Sequence, residues 1–256
     1  MKGAEHRQAR ILAEINRTGG ARIADLSRCL GVSEVTARRD VEVLAQRGLV
    51  TRVRGGAMAR AAGSAVTSRP PVAGRRAKAA IARSAAQLVQ PAQAVGLLAG
   101  GITTLVAREL LGVPGLNVVT NAIPIADAFH RAGPPGQMVL LLGGVRTRSG
   151  ALAGPLTERA AAGLNLDVVF VGAHGMAVGS GFTTPDTAEA RTGAALIAAA
   201  RRAVVVADHG RWGVSSAALI APLERADVVV TDAGLAERAQ SVLRRRVGRL
   251  IVAEVG

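Results

Sequence analysis

Arg38 and Arg39 stand side by side just after Ser33, Glu34 and Thr36. A guanidinium is a rigid fork of N–H donors that fits the O6/N7 edge of guanine or two oxygens of a phosphate. Paired arginines beside small hydroxyl residues therefore suit a nucleic-acid surface, and Arg52 and Arg54 follow on a short alternating stretch. A second set suits a small anion. Gly100, Gly101, Thr103 and Thr104 form one run, Asn121, Gly143, Gly144 and Gly172 lie in others, and Lys78 and Arg211 are candidate cations. Glycine lets backbone N–H groups approach an anion, a helix start just downstream favours negative charge, and the threonines would add hydroxyl donors. His174 and His209 lie in two such runs, as ligand contacts or as ordinary loop residues. No catalytic or metal-binding set emerges. Cys29 is the single cysteine, and no Cys/His spacing fits zinc. Asp186, Glu189 and Asp208 sit in no catalytic pattern, so neither an enzyme nor a cofactor is expected.

The first set needs a helix to present it. Ile23, Ala24, Leu26, Ser27 and Leu30 predict a short amphipathic helix, followed by a turn at Gly31-Val32. A second helix opens at Ser33, whose hydroxyl can accept a free N–H of the first turn, with Glu34 where the helix dipole favours an acid. Ala37, Val41, Leu44 and Ala45 fall on one stripe, leaving Thr36, Arg38, Arg39 and Glu42 on other faces. Two helices joined by a tight glycine turn form a helix-turn-helix pattern. Residues 5–18 predict one more helix, with Ile11, Leu12 and Ile15 inward and Gly19-Gly20 ending it. Leu49–Arg54 alternates as a strand that meets Gly55-Gly56, a basic wing.

The second set falls mostly at the ends of short apolar runs: 94–99, 117–120, 138–142, 167–171, 203–207, 227–231 and 249–253. Helical stretches at 75–90, 103–111, 123–131, 156–164, 187–201 and 235–245 alternate with most of them. This predicts a Rossmann-like α/β/α domain with a mostly parallel sheet covered on both faces. Ligands in such sheets sit at the carboxyl ends of strands. The expected organisation is a winged helix-turn-helix over 1–58, a linker rich in Ala, Gly, Ser, Pro and Arg over 59–74, and the α/β domain over 75–256.

Net charge is +14, and its placement matters. Residues 1–60 carry 12 Lys/Arg against 6 Asp/Glu, and residues 61–80 carry 4 against none. That concentration in the head and linker is the footprint expected for a polyanion. Coding bias accounts for Arg over Lys but not for the missing acids. An apolar fraction of 49% excludes a disordered chain. No apolar run is long enough to span a bilayer and the N-terminus lacks a signal-peptide core, so a cytoplasmic protein without a membrane partner is expected.

These motifs resemble the DeoR family of bacterial transcription repressors. The head carries the resemblance in Val32-Ser33, Thr36, Arg38-Arg39-Asp40, Leu44, Gly48-Leu49 and Gly55-Gly56-Ala57, with Arg54 where the family has His. The second domain carries it in Lys78, Thr103-Thr104, Thr120-Asn121, Leu142-Gly143-Gly144, Ser149 with Gly154, Asp167 with Phe170, Gly181 with Thr183, and Thr231-Asp232. The resemblance implies a repressor that binds double-stranded operator DNA. It also implies a ligand domain similar to ribose-phosphate isomerases that senses a phosphorylated sugar. Three positions depart from the family: Ala99 replaces an Asp, Ile102 a hydroxyl residue, and Gly193 stands about where a Lys is expected. A small anionic metabolite with fewer hydroxyls than a simple open-chain sugar phosphate is the predicted effector. A homo-oligomer, dimer or tetramer, is expected because such heads pair on two half-sites. An isomerase-like enzyme and a ligand-independent DNA-binding protein remain the alternative readings.

Overall fold

Two compact units divide the chain, residues 1–68 and 69–256. The computed structural model describes residues 2–18, 20–46, 49–53, 55–59, 72–134 and 136–254. In the first unit, α1 (Lys2–Thr18), α2 (Ile23–Leu30) and α3 (Glu34–Gln46) bury Ile11, Ile15, Ile23, Leu26, Ala37, Val41 and Leu44 in one core. Gly31 ends α2 in the left-handed conformation, φ 66°, which turns the chain into α3.

The wing is larger than the sequence suggests. β1 (Gly20–Arg22), β2 (Val50–Val53) and β3 (Gly56–Ala59) form an antiparallel sheet in the order β1-β3-β2. Gly20, read above as part of a helix stop, opens β1. Gly56 is required by packing, because a Cβ there would run into the backbone carbonyl of Ala21.

The second unit begins with α4 (Val72–Ala86), which starts inside the stretch read as linker and ends four residues before the helix expected to reach 90. Residues 60–71 of that linker lie outside the described residues. The chain continues through β4 (Ala94–Leu97), α5 (Gly101–Leu110), β5 (Asn117–Thr120), α6 (Ile123–Ala132) and β6 (Met138–Leu141). A hairpin, β7 (Val145–Arg146) and β8 (Leu152–Ala153), leads to α7 (Pro155–Ala162) and β9 (Val168–Gly172). Then come β10 (Gly175–Ala177), β11 (Gly181–Thr184), α8 (Thr187–Ala198), β12 (Ala203–Val206), β13 (Ala218–Ala221), β14 (Val228–Asp232), α9 (Glu237–Arg244) and β15 (Arg249–Ala253).

Seven strands make a parallel sheet in the order β15-β14-β12-β9-β4-β5-β6. Its centre is apolar on both faces because alternate residues enter different cores. Val169, Val171 and Val205 join α7, α8 and α9 on one side, whereas Val168, Phe170, Val204 and Val206 join α4, α5 and α6 on the other. A small antiparallel sheet, β10-β11-β13, caps the α8 side. From β4 the chain steps outward through β5 to β6, then returns to β9 on the other side of β4 and steps away again. The direction reverses between β4 and β9, which opens a crevice at their carboxyl ends.

Candidate functional site

Two surfaces carry the predicted site residues. On the head, Ser33 caps α3: its Oγ accepts the N–H of Thr36 at 3.3 Å and lies 2.9 Å from the Thr36 hydroxyl. Glu34, Arg38 and Arg39 are exposed on the same helix. Arg38 meets Glu34 at only 3.9 Å with both side chains more than half exposed, a pairing weak enough to exchange for another partner. Asp40 points the other way. It is buried and accepts from Arg7 Nε at 2.5 Å and Gln8 Nε2 at 3.1 Å, tying α1 to the inner face of α3. The Asp of the Arg-Arg-Asp motif therefore anchors the helix whose arginines face outward. Arg52 lies on β2 opposite Ala57, and Arg54 lies outside the described residues.

In the second unit the sheet reversal brings three loops together, after β4, β9 and β12. They enclose a cavity of about 100 Å³ lined by Lys78, Ala99, Gly100, Gly101, Ile102, Gly172, Ala173, His174, Asp208 and Arg211. A smaller recess of about 30 Å³ shares Ala99, Gly172 and His174 with it and adds Asn121, Thr184 and Glu189. Asp208 sits between the two cations, 3.7 Å from Lys78 Nζ and 3.8 Å from Arg211 Nε. Glu189 accepts hydroxyl protons from Thr147 and Ser149, both at 2.6 Å. Burial, and then the charge of Arg211, lower the pKa of His174 against the opposing pull of Glu189.

Lys78, Gly100, Gly101, Gly172 and Arg211 thus converge as expected for one site. Others do not. Thr103 is fully buried, and both it and Thr104 donate their hydroxyls to the Gly100 carbonyl, at 2.9 and 2.7 Å. These threonines close the first turn of α5 instead of offering donors to a ligand. Asn121 lines the recess, but its amide accepts from Ala99 N and donates to Leu152 O, which pins the strand ends. Gly143 and Gly144 follow β6, two strands away from β4, and line neither cavity. Gly144 has φ 151° and leaves no room for a Cβ against Thr157 and Ala153, so its role is steric. Gly193 packs beside Ile220 and Leu98 in the interior.

Asp208, Glu189 and His174 carry no local motif that marks them as site residues; their placement depends on strand order, which no local pattern encodes. His209 is turned out of the cavity toward Asp232, Nδ1 to Oδ2 2.6 Å. Trp212 packs against the core. Among the described residues no group of His, Cys, Asp and Glu has metal-site geometry, and no helix is long and apolar enough to cross a membrane.

Comparison with known proteins matches residues 7–61 to the DeoR-like helix-turn-helix domain and residues 74–233 to the DeoR C terminal sensor domain. The chain belongs to the DeoR family. It is 33% identical over 231 residues to the HTH-type transcriptional regulator GlpR of Haloferax volcanii, covering 90% of each chain. It is 29% identical over 256 residues to the transcriptional repressor AccR of Agrobacterium fabrum, covering 97% of each. Among solved structures, ribose 5-phosphate isomerase A of Methanocaldococcus jannaschii shares 16% identity over 53% of each chain with a TM-score of 0.38, too loose a likeness to bear on activity. This DeoR-family chain is therefore a transcriptional regulator of the repressor type with a sensor domain, and not an enzyme.

Proposed function

We propose that this repressor binds operator DNA through α3 as a homo-oligomer in the cytoplasm and is switched by a small anionic, phosphorylated sugar-like metabolite in the β4–β9 crevice. The observation that carries the sensing part is the convergence of Lys78, Arg211 and the glycine turn Gly100-Gly101, at the N-terminus of α5, on one cavity. A phosphate entering there would compete with Asp208 for the two cations. Both Asp208 oxygens already face those cations, Ala99 supplies no carboxylate, and Ile102 is apolar. The site therefore favours a ligand with few hydroxyls over a simple open-chain pentose or hexose phosphate. A ligand that binds one arrangement of the heads more tightly shifts operator affinity by that differential affinity.

Assembly would use the open β6 edge, where Met138, Leu140 and Leu141 are exposed beside an unpaired backbone row. The test is thermal melting of the full-length protein with inorganic phosphate, ribose 5-phosphate, fructose and glucosamine phosphates, and less hydroxylated phosphate esters. Stabilisation by at least one phosphorylated compound, abolished in Lys78→Ala/Arg211→Ala, is expected. Equal stabilisation of the double variant would overturn the site.

A further inference from the structure

Along the outward face of α3, Val35 lies three and four residues before Arg38 and Arg39, and Glu42 lies four and three residues after them. All four are exposed, and Val35 is the extreme case, an aliphatic side chain 73% open to solvent in the first turn. The head core does not use it, since the inner stripe is Ala37, Val41 and Leu44. A β-branched residue on a bare helix face contributes nothing to packing and has no better helix propensity than its polar neighbours. Its rigidity is useful for contact, because valine in a helix holds essentially one χ1 rotamer and presents its two methyl groups in a set direction. The small polar residues beside it are already engaged. The Ser33 and Thr36 hydroxyls face each other at 2.9 Å in the cap, which leaves Val35 and the long side chains to meet a groove.

We propose that Val35 reads the 5-methyl group of a thymine in each operator half-site. The first turn of a recognition helix is the part that reaches base edges, and the thymine methyl is the apolar feature of the major groove that a short aliphatic side chain can select. Arg38 and Arg39, one turn further on, would then hold the neighbouring guanine edge or phosphate. This rests on the reading that α3 enters the major groove, and goes beyond it by assigning a base and an atom.

The test uses the full-length protein and a DNA site selected by it from a random-sequence pool. Each thymine is replaced in turn by deoxyuridine, which differs only by the missing methyl. Wild-type protein should lose about fourfold in affinity at one position in a half-site, and about fifteenfold when both half-sites are changed, from the burial of one methyl each. Val35→Ala should bind thymine and deoxyuridine sites equally while keeping wild-type affinity for random DNA, because no phosphate contact is removed. Because Val35 is exposed, its truncation should not lower the melting temperature, and the better helix propensity of alanine should raise it slightly. Wild-type indifference to every thymine replacement, with selected DNA still preferred over random, would overturn the Val35 assignment alone. A methyl effect that persists in Val35→Ala would overturn it as well. No preference of the wild type for selected over random DNA would sink the groove reading beneath it.

Discussion

Asp232→Asn perturbs the loop that carries Asp208 and Arg211 without touching the cavity. Asp232 is buried at the end of β14 and accepts three N–H groups: His209 N at 2.8 Å, His209 Nδ1 at 2.6 Å and Gly234 N at 3.2 Å. Gly234 leaves room for the His209 ring, which a Cβ there would strike. Burial works against ionisation of Asp232, yet the hydrogen bonds from His209 and Gly234 prevail and hold its pKa below the usual carboxylate value. The amide is isosteric but replaces one acceptor oxygen by a donor and removes the charge. Two charge-assisted bonds fall to neutral strength and one donor loses its acceptor, about 3–4 kcal/mol in sum. His209 is half exposed, so water replaces part of this and screening reduces it to about 2–3 kcal/mol.

In a unit of this size that lowers the melting temperature by about 5–10 °C. A depressed carboxylate pKa stabilises the fold above the unfolded value and loses that contribution as pH falls through the folded one. The gap between wild type and Asp232→Asn should therefore narrow as pH falls below about 4. Circular dichroism melting of the full-length protein measures both. A variant that melts within a degree of wild type at pH 7, or a gap undiminished at pH 3.5, would show that the Asp232 carboxylate does not stabilise this loop.

Two further outcomes follow from the second unit. Leu140→Lys on the β6 edge should convert the proposed oligomer to monomers in sedimentation at micromolar concentration, and an unchanged sedimentation coefficient would remove β6 from the proposed interface. The His174 pKa lies below its ordinary 6.5, so the unfolded chain takes up that proton first. Stability is then complete above about pH 6.5 and declines as pH falls, by at most about 1.4 kcal/mol per unit; His174→Gln should flatten melting temperature against pH between 7.5 and 5.5.

Much of the architecture was legible because period and turn chemistry agreed. Ser33, Gly31 and the stripe Ala37-Val41-Leu44 specify the helix-turn-helix locally, and the short Val-rich runs of β9, β12 and β14 read as buried strands. What escaped were elements whose identity depends on distant partners. β1, β7, β8 and β10 have two or three residues each, too few for a period, and exist because another strand lies beside them. Some candidate ligand residues fall outside the cavity for a related reason. Gly143-Gly144 looks like Gly100-Gly101 in sequence, but strand order carries it two strands from the reversal point. Thr103 and Thr104 looked like free donors, yet a helix start beside a glycine carbonyl consumed their hydroxyls. Val35 carries no signal of its own in the sequence, because an aliphatic residue on a helix is expected in the core.

In the proposed function, the outer face of α3 recognises the operator. The most direct test is fluorescence anisotropy of full-length Arg38→Ala/Arg39→Ala on a DNA site selected by the wild type, at fixed salt. Each arginine on a base edge contributes about 1–3 kcal/mol, so the double variant should bind the selected site at least about tenfold more weakly and lose most of its preference over random DNA. Binding of the selected site by the double variant at wild-type strength would rule out α3 as the operator-reading helix.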